Sequence, residues 1–354
     1  MNHYVETSRA AGRWLASLPP LTPRFTTVGE AHGWLDDERN NLVAAARNAW
    51  DLGHRSAPWD LLLSLSGYLH HHRYFEDWIT IGLAALDAAR AAGSSTAETD
   101  ALRYLGVPYT GLRRFGEARD ALEQAVARYR LLGDVGSEGG TLVDLGLVLM
   151  ELRLHDDAAV VLTRAVAILR AVGDHHGEGM ALTNLGLVLR RMDRLDASID
   201  AHEGAIETLR RTRAPHSEAL ARNNLGLALI HADRFADAAT SLELAVQGFR
   251  ALGSRPEEGM ALANLATALR GMQRPHEAIA AGENAVECYR ASGDRHGEAV
   301  ARCALAQALG DAGQVERALE AVTVAEAVLQ ETNDEENLLV AEETRRILIR
   351  TKGE

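Results

Sequence analysis

Forty residues after "TNLGLVLRRMDRLDAS" (183–198) the chain reads "NNLGLALIHADRFADA" (223–238), and this spacing constrains the fold more than any other feature. Steps of forty from Leu65 reach Leu105, Leu145, Leu185, Leu225, Leu265 and Leu305 without a gap, and the next residue is always small: Ser66, Gly106, Gly146, Gly186, Gly226, Ala266, Ala306. A second ladder holds Ala at eight successive positions from Ala45 to Ala325, and a third runs Ala118, Ala158, Ser198, Ala238, Ala278, Ala318. Seven copies therefore fill residues 55–334 with no insertion or deletion. A fixed period of this length marks a solenoid, in which each unit buries its apolar face only against its neighbours.

Each copy reads as two helices. Met180, Leu182, Leu185, Val188 and Leu189 fall mostly three and four apart, and Ile199, Ala205, Ile206 and Leu209 repeat that pattern, as a helix with one buried side requires. Aromatics make up only 5% of the chain, which favours helices over sheets. The linkers "LLGDVGSE", "AVGDHHGE" and "ASGDRHGE" carry a Gly suited to a left-handed helix stop, followed by Asp134, Asp174 or Asp294, with Ser254 in the same place elsewhere. These four side chains are expected to cap the next helix. Pro215 follows the cap position, where a helix tolerates it. Glu98, Glu138, Glu178, Glu218, Glu258 and Glu298 recur in the first turn, where a carboxylate complements the helix dipole, and they are read as structural. The small residue at Gly186 is expected to face the Ala205 ladder, with Leu185 filling the space beside it, worth roughly 1.5–3 kcal/mol when buried.

An "NLG" followed by a small residue twelve places beyond the Gly (Gly186 to Ser198, Gly226 to Ala238) and another seven further on resembles the tetratricopeptide repeat, here in a 40-residue form; the common unit has about 34. HEAT and armadillo repeats share the length but not these offsets. The resemblance implies an all-α, right-handed superhelical solenoid of about seven helix-turn-helix repeats with a concave face. Both ends depart from the repeat, as capping requires. Residues 335–354 contain one amphipathic helix. Residues 1–54 hold a helix ("HYVETSRAAGRWLASL"), a break at "PPLTPRFTT" and half a repeat.

That front segment carries a second resemblance. "YVETSRAAGRWL" followed by "EAHGWLDDERNNLVAAARNA" is similar to the stretch that joins the nucleotide-binding and winged-helix core to the repeat arm in STAND-type regulators of actinobacteria, including the Streptomyces antibiotic regulatory proteins. The resemblance implies a sensor arm that restrains an NTP-driven switch, with a nucleotide-binding domain upstream in the same polypeptide. The chain itself has no G-x-x-x-x-G-K-[ST] phosphate loop. It reads either as the arm of a larger protein or as a free-standing relative.

Charge and motifs bound the chemistry. The formal net charge of −13 disfavours a surface that tracks nucleic acid. No apolar run approaches the roughly 18 residues of a membrane span, and Met1 leads into a polar segment without a signal-peptide pattern, so a cytoplasmic location is expected. Cys288 and Cys303 have no metal-type spacing. His70, His71 and His72 are adjacent, but successive helix residues point about 100° apart, so one ion cannot take all three; a solvated helix end is the better reading. Asp36 with Asp37 and Asp156 with Asp157 read as solvated charges, and no nucleophile or dinucleotide signature is present. A non-catalytic protein, without cofactor or metal, is expected.

By the tetratricopeptide resemblance, ligands lie on the first helices, where an Asn before the Leu-Gly pair hydrogen-bonds the main chain of an extended segment. Asn184, Asn224 and Asn264 form such a ladder, with Asp144 one copy earlier. An amide donates and accepts together, as a peptide unit does. Thr183, Leu187, Arg190, Asn223, Leu227, Thr267, Arg270 and Gln307 are expected on the same face, where Arg190 and Arg270 could clamp a carboxylate or phosphate. The alternative is that the Asn residues pack between adjacent copies. Protein segment, peptide signal and small molecule all remain open as ligands.

Overall fold

The computed structural model describes residues 1–15 and 24–353. Part of the expected break, residues 19–23, lies outside them. The described residues form helices and no strands, in two compact units, 1–172 and 173–354. Among them no helix is long and apolar enough to cross a membrane.

In the first unit, α1 (Asn2–Leu15) packs on α2 (Val28–Asn48) and on α3 (Ala57–His71). The helices α4 (Phe75–Ala91), α5 (Ser95–Gly111), α6 (Phe115–Leu132), α7 (Val135–Glu151) and α8 (His155–Val172) follow as alternating first and second helices of successive copies. The second unit contains α9 (His175–Arg191), α10 (Leu195–Arg211), α11 (Pro215–His231), α12 (Phe235–Leu252), α13 (Arg255–Gly271), α14 (Pro275–Ser292), α15 (Arg295–Asp311), α16 (Val315–Glu331) and α17 (Glu335–Gly353). In this unit each first helix packs against the next first helix, α9 to α11 to α13 to α15 to α17, while successive second helices stand further apart and meet through long side chains, as Arg317 and Glu283 do at 2.8 Å. The first helices therefore line the inner face, and the second helices wedge apart on the outer one.

The turn chemistry explains the register. Gly133, Gly173, Gly253 and Gly293 adopt positive φ of 72°, 76°, 69° and 74° between copies, a conformation in which a side chain would be strained. Asp134, Asp174 and Asp294 then accept from the backbone N–H of Ser137, Gly177 and Gly297 at 3.0, 2.9 and 2.9 Å. Ser254 makes no side-chain cap bond, a departure from expectation. Ser94 does cap, accepting from Ala97. Glu138 receives Arg130 and Arg164 at 3.3 and 2.6 Å, and Glu258 receives Arg250 and Arg255 at 2.8 and 3.2 Å. These carboxylates tie the first turn of one helix to its neighbours.

The small ladder faces a different column from the one expected. A Cβ on Gly186 would lie 2.5 Å from the His202 ring, and a Cβ on Gly106, Gly146 or Gly226 would collide with Leu122, Leu162 or Leu242. The socket thus receives the residue sixteen places on, three before the Ala205 ladder. The reason is volume: a glycine accommodates a large side chain, whereas two small ladders facing each other would leave a void. Leu65, Leu105 and Leu145 are buried in the core as expected, whereas Leu185 is half-buried.

Candidate functional site

The inner face of the second unit carries its half-exposed residues in rows. Leu187, Leu227, Thr267 and Gln307, forty residues apart on α9, α11, α13 and α15, are all half-buried. Side chains also bond across the rows from one copy to the next. Asn264 Nδ2 donates to Asn223 Oδ1 at 2.9 Å, and Asn223 Nδ2 to Asn224 Oδ1 at 3.4 Å. Arg270 donates to Asp311 at 2.7 Å and to Gln307 Oε1 at 2.6 Å, and Gln307 passes the chain to Thr344 Oγ1 on α17 at 3.2 Å.

The residues singled out from the sequence consequently fall into different settings. Asn223 and Thr183 are buried, at 1% and 2% exposure; Thr183 Oγ1 donates to the Gly179 carbonyl of its own helix at 2.9 Å, and Thr267 does the same to Ala263 at 3.3 Å. Asn223 joins neighbouring first helices rather than opening to the groove. Asn224 is also buried, and Asn184 is buried with its Nδ2 unpartnered. Arg190 is half-buried; one guanidinium nitrogen meets His231 Nε2 at 3.2 Å and its Nε has no acceptor. Burial, then the charge of Arg191, lowers its pKa, while Glu336 on α17 pulls the other way.

Arg270 and Gln307 line a cleft of about 460 Å³ with Asp311 and, from α17, Leu339, Val340, Thr344 and Ile347. The α17 contribution was not foreseen, because its apolar residues read simply as a cap. Asp144, in the first unit, pairs with Arg103 at 3.5 Å. Burial raises its carboxyl pKa and Arg103 opposes the rise. Both line a separate cleft of about 480 Å³ with Trp78, Tyr104 and His70.

His202 was also missed. It is fully buried on α10 against Gly186, and neither ring nitrogen has a partner. Burial, then Arg190, drives its pKa down to about 4; burial and Arg190 also lower that of His231. The signal was present as the one His in a column that holds Leu at 42, 122, 162 and 242, Gly at 82 and 282 and Val at 322. His70 and His71 are exposed, and His72 reaches His32 at 3.4 Å. Among the described residues no group of three or more His, Cys, Asp or Glu is placed to hold a metal ion.

Comparison with known proteins places this geometry. No curated protein matches the chain in sequence. Among solved structures, it is similar to BtubC from P. vanneervenii (18% identity, TM-score 0.56, covering 62% of this chain and 92% of that one). It is similar to a Rap protein complexed with competence and sporulation factor (14% identity, TM-score 0.54, covering 91% and 98%). It is also similar to a STAND protein with a tetratricopeptide repeat sensor from Pyrococcus horikoshii (13% identity, TM-score 0.59, covering 96% and 65%). At these identities the likeness establishes the fold. The tetratricopeptide repeat model matches in four overlapping stretches, 138–211, 178–251, 216–291 and 257–331, which together span more than half of the sequence. The chain belongs to the tetratricopeptide repeat family.

Proposed function

We propose that this chain is a non-catalytic interaction module that holds an extended protein segment along the first-helix face of its second unit. The observation that carries the reading is the row of half-exposed side chains from Leu187 through Leu227 and Thr267 to Gln307, which ends in the cleft formed with α17. Such a row offers an extended chain apolar contacts at Leu187 and Leu227 and polar ones at Thr267 and Gln307, and Asn184 adds an amide N–H group without an internal partner.

The wider role proposed is the sensor arm of a STAND-type transcriptional regulator of the Streptomyces antibiotic regulatory protein kind. The front-segment resemblance and the likeness to a STAND protein with a repeat sensor support it. A free-standing signal receptor is the second reading, favoured by the Rap protein that aligns over 98% of its own length. A nucleotide-binding domain encoded in frame before Met1 would favour the first reading, and a stop codon there the second.

The groove is tested by affinity capture from native lysate with the wild type, an Asn184→Ala/Asn224→Ala/Asn264→Ala variant and a Leu187→Glu/Leu227→Glu variant, all matched for helicity and melting. A partner held by the wild type and lost by both variants is the expected result. Equal capture by all three would move binding to another surface.

A further inference from the structure

By register α17 is a first helix, and among the described residues no second helix follows it. It packs on α15 and α16 through Ala341, Thr344 and Leu348. In earlier copies the positions equivalent to 339, 346 and 349 are covered by the copy's own second helix. Gly179 lies against Leu209, Gly186 against His202 and Gly226 against Leu242, while Leu229, Leu269 and Leu309 are at most 5% exposed. On α17 the same face is bare: Leu339 and Ile349 are 62% and 56% exposed, and the Arg346 side chain 66%. Nor is it shaped for a further second helix of the repeat. Leu339 and Arg346 stand where the earlier copies of this unit hold only Gly or Ala, so the sockets that receive a large side chain are already filled.

We propose that a second copy of this chain covers the face, by antiparallel pairing of the two α17 helices about a twofold axis at the level of Thr344. Leu339, Glu342, Arg346 and Ile349 lie three and four residues apart, hence on one stripe of the helix. Their order is apolar, acidic, basic, apolar, and it is symmetric about position 344. Leu339 and Ile349 stand about 7.5 Å either side of that level along the axis, and Glu342 and Arg346 about 3 Å either side. Turning one helix end for end therefore sets Leu339 against Ile349 and Glu342 against Arg346, each twice, as an isologous interface requires. A parallel pair would instead oppose like charges. The antiparallel direction is also the one a second helix takes in every copy. Arg346 meets Glu343 of its own helix at 3.0 Å, an exposed pair worth too little to hold it away from a partner. One helix pair buries a small area, so the expected dissociation constant is about 10–100 μM. This proposal does not rest on the groove reading. Leu339 also lines the cleft at Arg270, whereas Glu342, Arg346 and Ile349 do not, and the test uses those three.

The test is sedimentation velocity of the full chain across concentrations that bracket this range. The wild type should move from the monomer mass of 38.3 kDa towards twice that value as concentration rises. Ile349→Glu, Glu342→Arg and Arg346→Glu, each with unchanged circular dichroism and melting, should weaken the dimer about tenfold or more, since each places a charge against an apolar group or a like charge. An equimolar mixture of Glu342→Arg and Arg346→Glu should dimerise again, because the mixed pair sets arginine opposite glutamate at both contacts. A wild type that stays monomeric throughout would overturn the proposal and leave the face to another occupant. A dimer indifferent to the three variants would place the contact on another surface. Single variants that are monomeric both alone and in the mixture would exclude the antiparallel register.

Discussion

At the scale of the single residue, His202 is the clearest conflict between packing and polarity. It fills the socket over Gly186 that leucine fills over Gly106, Gly146 and Gly226, yet brings two ring nitrogens that find nothing to bond. His202→Leu is therefore expected to raise stability by about 1–2 kcal/mol, since it removes unpaired polar atoms from a site already shaped for leucine. The pH dependence follows from the same burial. With a folded pKa near 4 against an unfolded value near 6.5, the unfolded state binds more protons between those values, so stability is complete above about pH 6.5 and falls as pH drops towards 4. The loss amounts to about 3 kcal/mol. Chemical denaturation of the wild type at pH 7 and pH 4.5 should show this decline, and the leucine variant should show less of it. A parallel decline in both would mean that other groups dominate. Residue Glu258, 2% exposed beneath Arg250 and Arg255, shows the opposite outcome, a buried charge made tolerable by two partners.

At the scale of the element, the repeat is written by its turns as much as by its helices. Between copies the left-handed position holds Gly at 53, 93, 133, 173, 253 and 293, but Arg213 and Asn333 occupy it with φ 54° and 53°. A non-glycine residue there costs roughly 1 kcal/mol, so Arg213→Gly should raise the unfolding midpoint by about that free energy. An unchanged or lower stability would show that the Arg213 side chain compensates. Within copies the corresponding position is held by Arg73, Arg113, Arg153, Asp193, Asp233 and Gln273, all at positive φ near 55–60°, and by Gly313 at 73° in the last copy. Helix periodicity locates both turns, but only the glycine-bearing one announces its conformation in the sequence. The other is imposed by the helices it joins, as the bond from Arg194 N–H to the Leu189 carbonyl at 2.9 Å shows. The α17 helix makes a similar point. Its sequence reads as a cap, yet Leu339, Val340 and Ile347 form one wall of the cleft at Arg270.

At the scale of the whole molecule, contacts run only between neighbouring helices within each unit, so stability should be distributed along the chain rather than gathered in one core. Leu242, fully buried on α12 over Gly226, provides the test. Leu242→Ala should cost about 2–5 kcal/mol, and amide exchange should accelerate most in α11, α12 and α13, with a smaller effect on α15–α17. Uniform acceleration through the second unit would instead indicate a single cooperative core.

The sequence by itself determined the period, the pairing of helices within each copy, the glycine stops and most of the caps. These depend on neighbours a few residues apart or on exact recurrence at forty, and both are visible in one dimension. Only the tertiary structure decided which polar side chains are already satisfied. Asn223 and Asn264 bond each other, Arg270 is neutralised by Asp311, and Arg190 meets an imidazole instead of a carboxylate. Those outcomes depend on side chains 41 residues apart being brought within bonding distance across adjacent first helices. The Gly186 socket was misassigned for the same reason: a ladder of small residues shows that something large packs there, but the rotation of one helix against the next determines which residue it is.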